Sequence, residues 1–225
     1  MHRENRRYEI KLSYLLFMLL SIFYFSYSSK KTKEHHLFPS NELIDILRSK
    51  KGAKIMDTCA DVLIVIDLQN GVCYSEEHLF DLQKLLTKVN KRISSYRKSN
   101  KPIIFVQHCD DDLVPEKELW DIHADLDVQE QDFFVRKTHA NSFYKTNLKE
   151  ILEQLSVHRI EFCGAQTEYC MDATIKFSHG LEYENFMVQK ATSTLNNPFM
   201  SAKETIDFYE NIWNRRFLKL IKDEL

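Results

Sequence analysis

The sequence predicts an α/β fold, a three-layer αβα sandwich around a mostly parallel central sheet. Three observations lead there. Short β-branched runs alternate with longer stretches of helical periodicity from residue 62 to the C-terminus. The first run, Val62-Leu63-Ile64-Val65-Ile66, is apolar at every position, as a strand buried on both faces of a parallel sheet must be. Polar residues then fall just after the strands, where ligands sit in open parallel sheets.

Taken in order, the strand at 62–66 ends at Asp67. Residues 76–98 read as a helix, because Leu79, Leu82, Leu85, Leu86, Val89 and Ile93 recur at intervals of three and four, and Asn100-Lys101-Pro102 closes it. The next strands are expected at 103–106 and 133–135. A helix at 148–155 leads into a strand at 159–163, ended by Gly164. After the turn Gly164-Ala165-Gln166-Thr167, residues 168–179 read as a helix, 183–188 as a strand and 201–223 as a long terminal helix. In that last stretch Arg215, Arg216, Lys219 and Lys222 punctuate Phe217, Leu218, Leu220 and Ile221, the pattern of a docked amphipathic helix.

Composition narrows the classes. The 225 residues are 44% hydrophobic and 28% charged with four Gly and four Pro, which fits one ordinary globular domain and excludes collagen-like and disordered chains. Lys and Arg number 31 against 33 Asp and Glu, so no basic field exists to hold a phosphate backbone, and nucleic acid is not an expected partner. The five Cys lack paired spacing and read as reduced thiols rather than a disulfide framework or zinc site, which points to a reducing, cytoplasmic setting.

Residues 1–55 differ from the expected domain at 56–225. An apolar run at 14–27 follows Arg3, Arg6, Arg7 and Lys11 and precedes Lys30, Lys31 and Lys33. It is shorter than the ~20 residues a spanning helix needs and has the layout of a signal or anchor segment. In the other reading translation starts at Met56, since Lys51-Gly52-Ala53-Lys54-Ile55-Met56 is encodable as a ribosome-binding site, a spacer and a start codon. The terminal Lys222-Asp223-Glu224-Leu225 matches an endoplasmic-reticulum retrieval signal, or is simply where a helix stops. Membrane contact, secretion or a lumenal location follows only if residues 1–55 are a targeting segment.

Three strand-end residues carry chemical promise: Asp67, Lys137 and Cys170. A thiol attacks as thiolate, and a helix N-terminus and an ammonium both lower its pKa from ~8.5. A carboxylate beside them serves as base. Taken singly, each has an ordinary reading: a buried thiol, a turn or capping carboxylate, a solvated lysine.

Their surroundings resemble the isochorismatase-like family of cysteine hydrolases, which includes nicotinamidases and related amidohydrolases. Residues 60–71, with Asp67-Leu68-Gln69, resemble the family's first strand and its aspartate. Lys137-Thr138-His139-Ala140-Asn141-Ser142-Phe143 through Leu148 resembles the catalytic lysine segment. Cys163-Gly164-Ala165-Gln166-Thr167-Glu168-Tyr169-Cys170 resembles the nucleophile loop. The resemblance spans 56–223 and implies a triad of Asp67, Lys137 and Cys170, with a cis peptide at Ala165-Gln166. It further implies an oxyanion hole from the backbone N–H groups of Gln166 and Cys170. The implied reaction is hydrolysis of a small-molecule amide through a thioester, since true isochorismatases lack this cysteine. Trp120, Phe143 and Tyr169 are candidate pocket residues. Relatives form dimers or tetramers, and the aromatic set Phe208, Tyr209, Trp213 and Phe217 is placed either at such an interface or over the sheet.

Nicotinamidases of the family hold a cation through Asp-x-His after the second strand. Here that stretch is Gln107-His108-Cys109-Asp110-Asp111-Asp112, so no catalytic metal or cofactor is expected; the stretch reads as an acidic solvated loop, with His108 and Asp110 as a metal-binding pair the alternative. Haloacid-dehalogenase-type phosphatases need a second Asp where Gln69 stands. A catalytically silent binding module, or a redox sensor pairing Cys163 with Cys170, is the remaining alternative.

Overall fold

The computed structural model describes residues 59–74 and 77–222; the expectations for residues 1–55 and 223–225 lie outside them. Among the described residues, no helix is long and apolar enough to cross a membrane.

Seven strands form one sheet: β1 (Val62–Ile66), β2 (Ile103–His108), β3 (Phe133–Lys137), β4 (Arg159–Ala165), β5 (Glu184–Val188), β6 (Thr192–Ser193) and β7 (Lys219–Ile221). Their order is β3-β2-β1-β4-β5-β7, with β6 beside β4, and every pairing is parallel. The helices are α1 (Asn70–Cys73), α2 (Leu82–Lys98), α3 (Leu148–Gln154), α4 (Asp172–Gly180) and α5 (Ala202–Trp213). From β1 the chain runs outward to β3 and returns on the other side at β4. Right-handed crossovers therefore put α2 on one face and α3 and α4 on the other. β1 is buried along its whole length because both faces are covered.

A buried ion pair ties α2 to the sheet. Glu161, in the middle of β4 and 1% exposed, accepts from Arg92 Nε at 2.6 Å and Nη2 at 2.7 Å, and from the Tyr96 hydroxyl at 3.0 Å. The same hydroxyl accepts from the Ala60 N–H at 2.8 Å. A carboxylate at this depth is tolerable only because each oxygen is bonded to a charged or polar donor.

Three expectations need correction. The first helix starts at Leu82 rather than 76, because Asp81 adopts a left-handed φ of 51° that a helix cannot continue through. The region of 168–179 is not one α-helix: a π-helical turn occupies Thr167–Met171 and α4 follows it. The terminal helix stops at Trp213. Arg215 turns the chain with φ 64°, and Lys219, Leu220 and Ile221 pair with Phe186, Met187 and Val188 as β7. The open edge of β5 offers backbone partners, and that ladder overrides the helical spacing of the apolar residues. The terminal aromatics divide accordingly: Trp213 is buried and donates through Nε1 to Asp172 Oδ1 at 2.8 Å, while Phe208 is half exposed.

β1 and β4 meet closely at Gly164, whose φ is +137°. A Cβ there would lie 2.1 Å from Ile66 O and 2.7 Å from Ile66 N. We expect Gly164→Ala to lower the unfolding free energy in urea by about 3 kcal/mol or more. A loss under about 1 kcal/mol would show that the strands separate easily at this point.

Candidate active site

The carboxyl ends of β1, β2, β3 and β4 converge at the point where strand order reverses, between β1 and β4. Asp67 follows β1 with φ 50°, a left-handed conformation Asp tolerates better than most residues, and its N–H donates to Val106 O at 2.9 Å. Lys137 is the last residue of β3, in register with His108 at the end of β2. Its side chain is wholly buried.

The Lys137 ammonium joins the site. Nζ lies 2.6 Å from Asp67 Oδ2, 3.1 Å from Cys170 Sγ and 3.1 Å from His108 Nδ1. Three donors thus face three acceptors. Cys170 reaches this point from the π-helical turn after the Ala165–Gln166 peptide, which is cis. Its turn is closed by Met171 N–H to Gln166 O at 3.2 Å and tied to β6 by Thr167 Oγ1 and Thr192 Oγ1, 2.9 Å apart. Single π turns of this kind recur at functional sites.

The electrostatics differ from the sequence expectation of an activated thiolate. Burial, followed by the Asp67 carboxylate, pushes the Cys170 thiol up to about 12, and Lys137 offsets only part of this. Burial also raises Asp67, more than Lys137 lowers it. For Lys137 burial works against the ammonium, but its interactions with Asp67 and, after it, Cys170 outweigh this and hold its pKa above the ordinary lysine value. Cys170 therefore rests as a thiol beside a carboxylate of enhanced basicity. Cys163 is sealed inside the sheet, and burial drives its thiol well above the usual range.

Above the thiol is a cavity of about 450 Å³. Asp67, His108, Gln166 and Cys170 line it together with Val72, Leu113 and Leu119, and with Asp110 and Asp112. Gly71 lets α1 press on the cavity's far wall, since a Cβ there would meet Leu113 Cδ2 at 2.6 Å.

The structure does not bring the three candidate pocket aromatics to this cavity. Trp120 is buried beneath the Arg136 guanidinium, 4.9 Å from its ring centroid, and donates to Cys109 Sγ at 3.2 Å. Phe143 packs against Phe177 and Tyr183. Tyr169 is 57% exposed. Leu113 and Leu119 supply the apolar wall instead, from a loop whose composition alone gave no sign of direction.

Gln69 acquires a role that its place in the sequence block did not disclose. Fully buried, it donates through Nε2 to His108 O at 3.0 Å and Trp120 O at 2.9 Å, and accepts from His108 N–H at 2.7 Å. It fixes the end of β2 against the loop that carries Trp120.

Ligand-type atoms of Asp67, His108 and Cys170 lie within 4.8 Å of one another. The Lys137 ammonium is within 3.1 Å of all three and fills the position a cation would take, so this trio does not fit a metal.

These electrostatics give a signed expectation for the thiol. Cys170 in the wild-type protein should react slowly with iodoacetamide at neutral pH, its rate climbing with pH beyond the ordinary thiol range of ~8.5. Asp67→Asn should move that curve to lower pH and Lys137→Met to higher pH, as followed by peptide mass spectrometry. Rapid labelling of wild-type Cys170 at mildly acidic pH would contradict the resting thiol.

Comparison with known proteins agrees with this architecture. The isochorismatase domain family model matches residues 61–205. The crystal structure of an isochorismatase family protein is 44% identical, covering 71% of this chain and 96% of its own with a TM-score of 0.70. The isochorismatase family protein YddQ of Bacillus subtilis (strain 168) is 28% identical over 138 residues, 59% of this chain and 77% of YddQ. Nicotinamidase 3 of Arabidopsis thaliana is 26% identical over 159 residues, 62% of this chain and 76% of its own length. With its domain matched from strand β1 through the start of α5, the chain belongs to the isochorismatase family.

Proposed function

We propose that this protein is a cysteine-dependent hydrolase that cleaves a small-molecule amide C–N bond through a thioester. The observation that carries the reading is the Lys137 ammonium, 2.6 Å from the Asp67 carboxylate and 3.1 Å from the Cys170 sulfur beneath one cavity. The likeness to a nicotinamidase supports amide chemistry.

In this mechanism Asp67 takes the Cys170 proton as Sγ attacks the amide carbon, and the carbonyl π electrons move onto oxygen. The backbone N–H groups of Gln166 and Cys170 receive the oxyanion. Collapse breaks the C–N bond while Asp67 returns its proton to the departing nitrogen, leaving a thioester and ammonia or an amine. Asp67 then deprotonates water, which attacks the thioester. A carboxylic acid departs, and the thiolate regains a proton from Asp67. Lys137 stays protonated throughout, holding the sulfur and the carboxylate in reach of one another.

Charge around the cavity limits the substrate. Asp110 is held below the usual carboxylate range, chiefly by the Leu113 N–H, and stays ionised at neutral pH. Asp112 stands beside it, and among the described residues no Lys or Arg lines the cavity. An amide bearing its own carboxylate would meet like charge without a counterion.

The test is ammonia release from a panel of primary amides, each neutral member matched with a carboxylate-bearing analogue. The wild-type protein should favour the neutral members about tenfold or more in kcat/KM, and Cys170→Ala should lose about a thousandfold or more in kcat. Full activity in Cys170→Ala would sink the covalent scheme, and a preference for the carboxylates would overturn the charge argument.

A further inference from the structure

His108 is the acceptor in the site that the proposed triad leaves unused. An ammonium has three N–H donors, and a buried one with a donor unmatched is costly. Asp67 Oδ2 and Cys170 Sγ take two; His108 Nδ1, 3.1 Å from Nζ, takes the third. Nδ1 can accept only with its lone pair free, so the neutral ring must carry its proton on Nε2. Nε2 lies 3.3 Å from Asp110 Oδ2. Asp110 is itself fixed, because its Oδ1 accepts from the N–H groups of Asp112 at 3.0 Å and Leu113 at 2.7 Å.

We infer that His108 is a positioning residue, locked by Asp110 in the Nε2–H tautomer so that its Nδ1 lone pair fixes the rotation of the Lys137 ammonium toward Asp67 and Cys170. The inference rests on the proposed use of that triad but concerns the resting protein. The groups facing the ring are Lys137, Asp67, Asp110 and His139, and burial together with the Lys137 charge holds its pKa below the ordinary histidine value. His108 is therefore neutral at pH 7, where the lysine is charged.

Asp110→Asn tests the lock sharply. Its oxygen is required by two backbone N–H groups, so the new amide nitrogen is forced toward His108 Nε2–H, donor against donor. In ¹⁵N-histidine NMR at neutral pH, His108 should show the Nε2–H tautomer in the wild-type protein, and Asp110→Asn should populate the Nδ1–H form against the pull of Lys137; an unchanged Nε2–H tautomer in Asp110→Asn would show that Lys137 alone sets the ring and overturn the lock. The Nδ1–H tautomer in the wild type would overturn the inference.

A second readout separates positioning from packing. His108→Ala should slow Cys170 alkylation at fixed pH about tenfold, as expected for a thiol pKa raised by about one unit. His108→Asn, whose side-chain oxygen stands where Nδ1 stood, should restore most of the rate, while His108→Gln should not. Equal rates in all three variants would overturn it. Neither readout uses a substrate, so a correct tautomer with no amide turnover counts against the hydrolase reading alone.

Discussion

Burying the Lys137 ammonium is the constraint around which the rest of this molecule is arranged. An unpaired ammonium in an apolar interior is untenable, and the effective desolvation penalty is several kcal/mol even after relaxation. It is met here by an ionised carboxylate at 2.6 Å and by sulfur and imidazole acceptors at 3.1 Å. The ammonium and its three partners come from four different strand ends. The sheet order β3-β2-β1-β4 sets their separation, Gly164 allows β4 to close on Ile66, and the left-handed backbone at Asp67 turns its carboxylate inward.

The same arrangement explains why the nucleophile rests protonated. A helix N-terminus and a cation alone would favour a thiolate. Here burial keeps the proton on sulfur, and the charge of the carboxylate proposed to take it adds to the effect. In the proposed mechanism deprotonation is thereby coupled to attack, since the proton moves to Asp67 as the sulfur gains its bond to carbon. The enzyme needs no standing thiolate, and the site stays electrically balanced before substrate arrives.

Much of the fold was legible because its signals are local. A five-residue apolar run reads as an internal strand, and Asp67 directly follows one, while Lys137 ends β3 and Cys170 lies in the turn after β4. What could not be seen depends on distant partners. Residues 219–221 have a helical pattern, yet the vacant edge of β5 takes them as a strand. Trp120 has the composition of a pocket aromatic, but Cys109 and Arg136 hold it in the wall, and Leu113 and Leu119 face the cavity. Gln69 was visible as part of a motif, while its purpose lies 39 residues away at His108. A raised thiol pKa likewise emerges only when burial and the Asp67 charge are weighed together.

Lys137 remains an ammonium inside the protein because Asp67, Cys170 and His108 share its protons. ¹H–¹⁵N NMR of lysine side chains, with Lys137 assigned by its loss in Lys137→Met, measures this directly. A slowly exchanging NH₃⁺ resonance should persist to higher pH than those of the exposed lysines. A Lys137 nitrogen that titrates at or below the ordinary lysine value would contradict it.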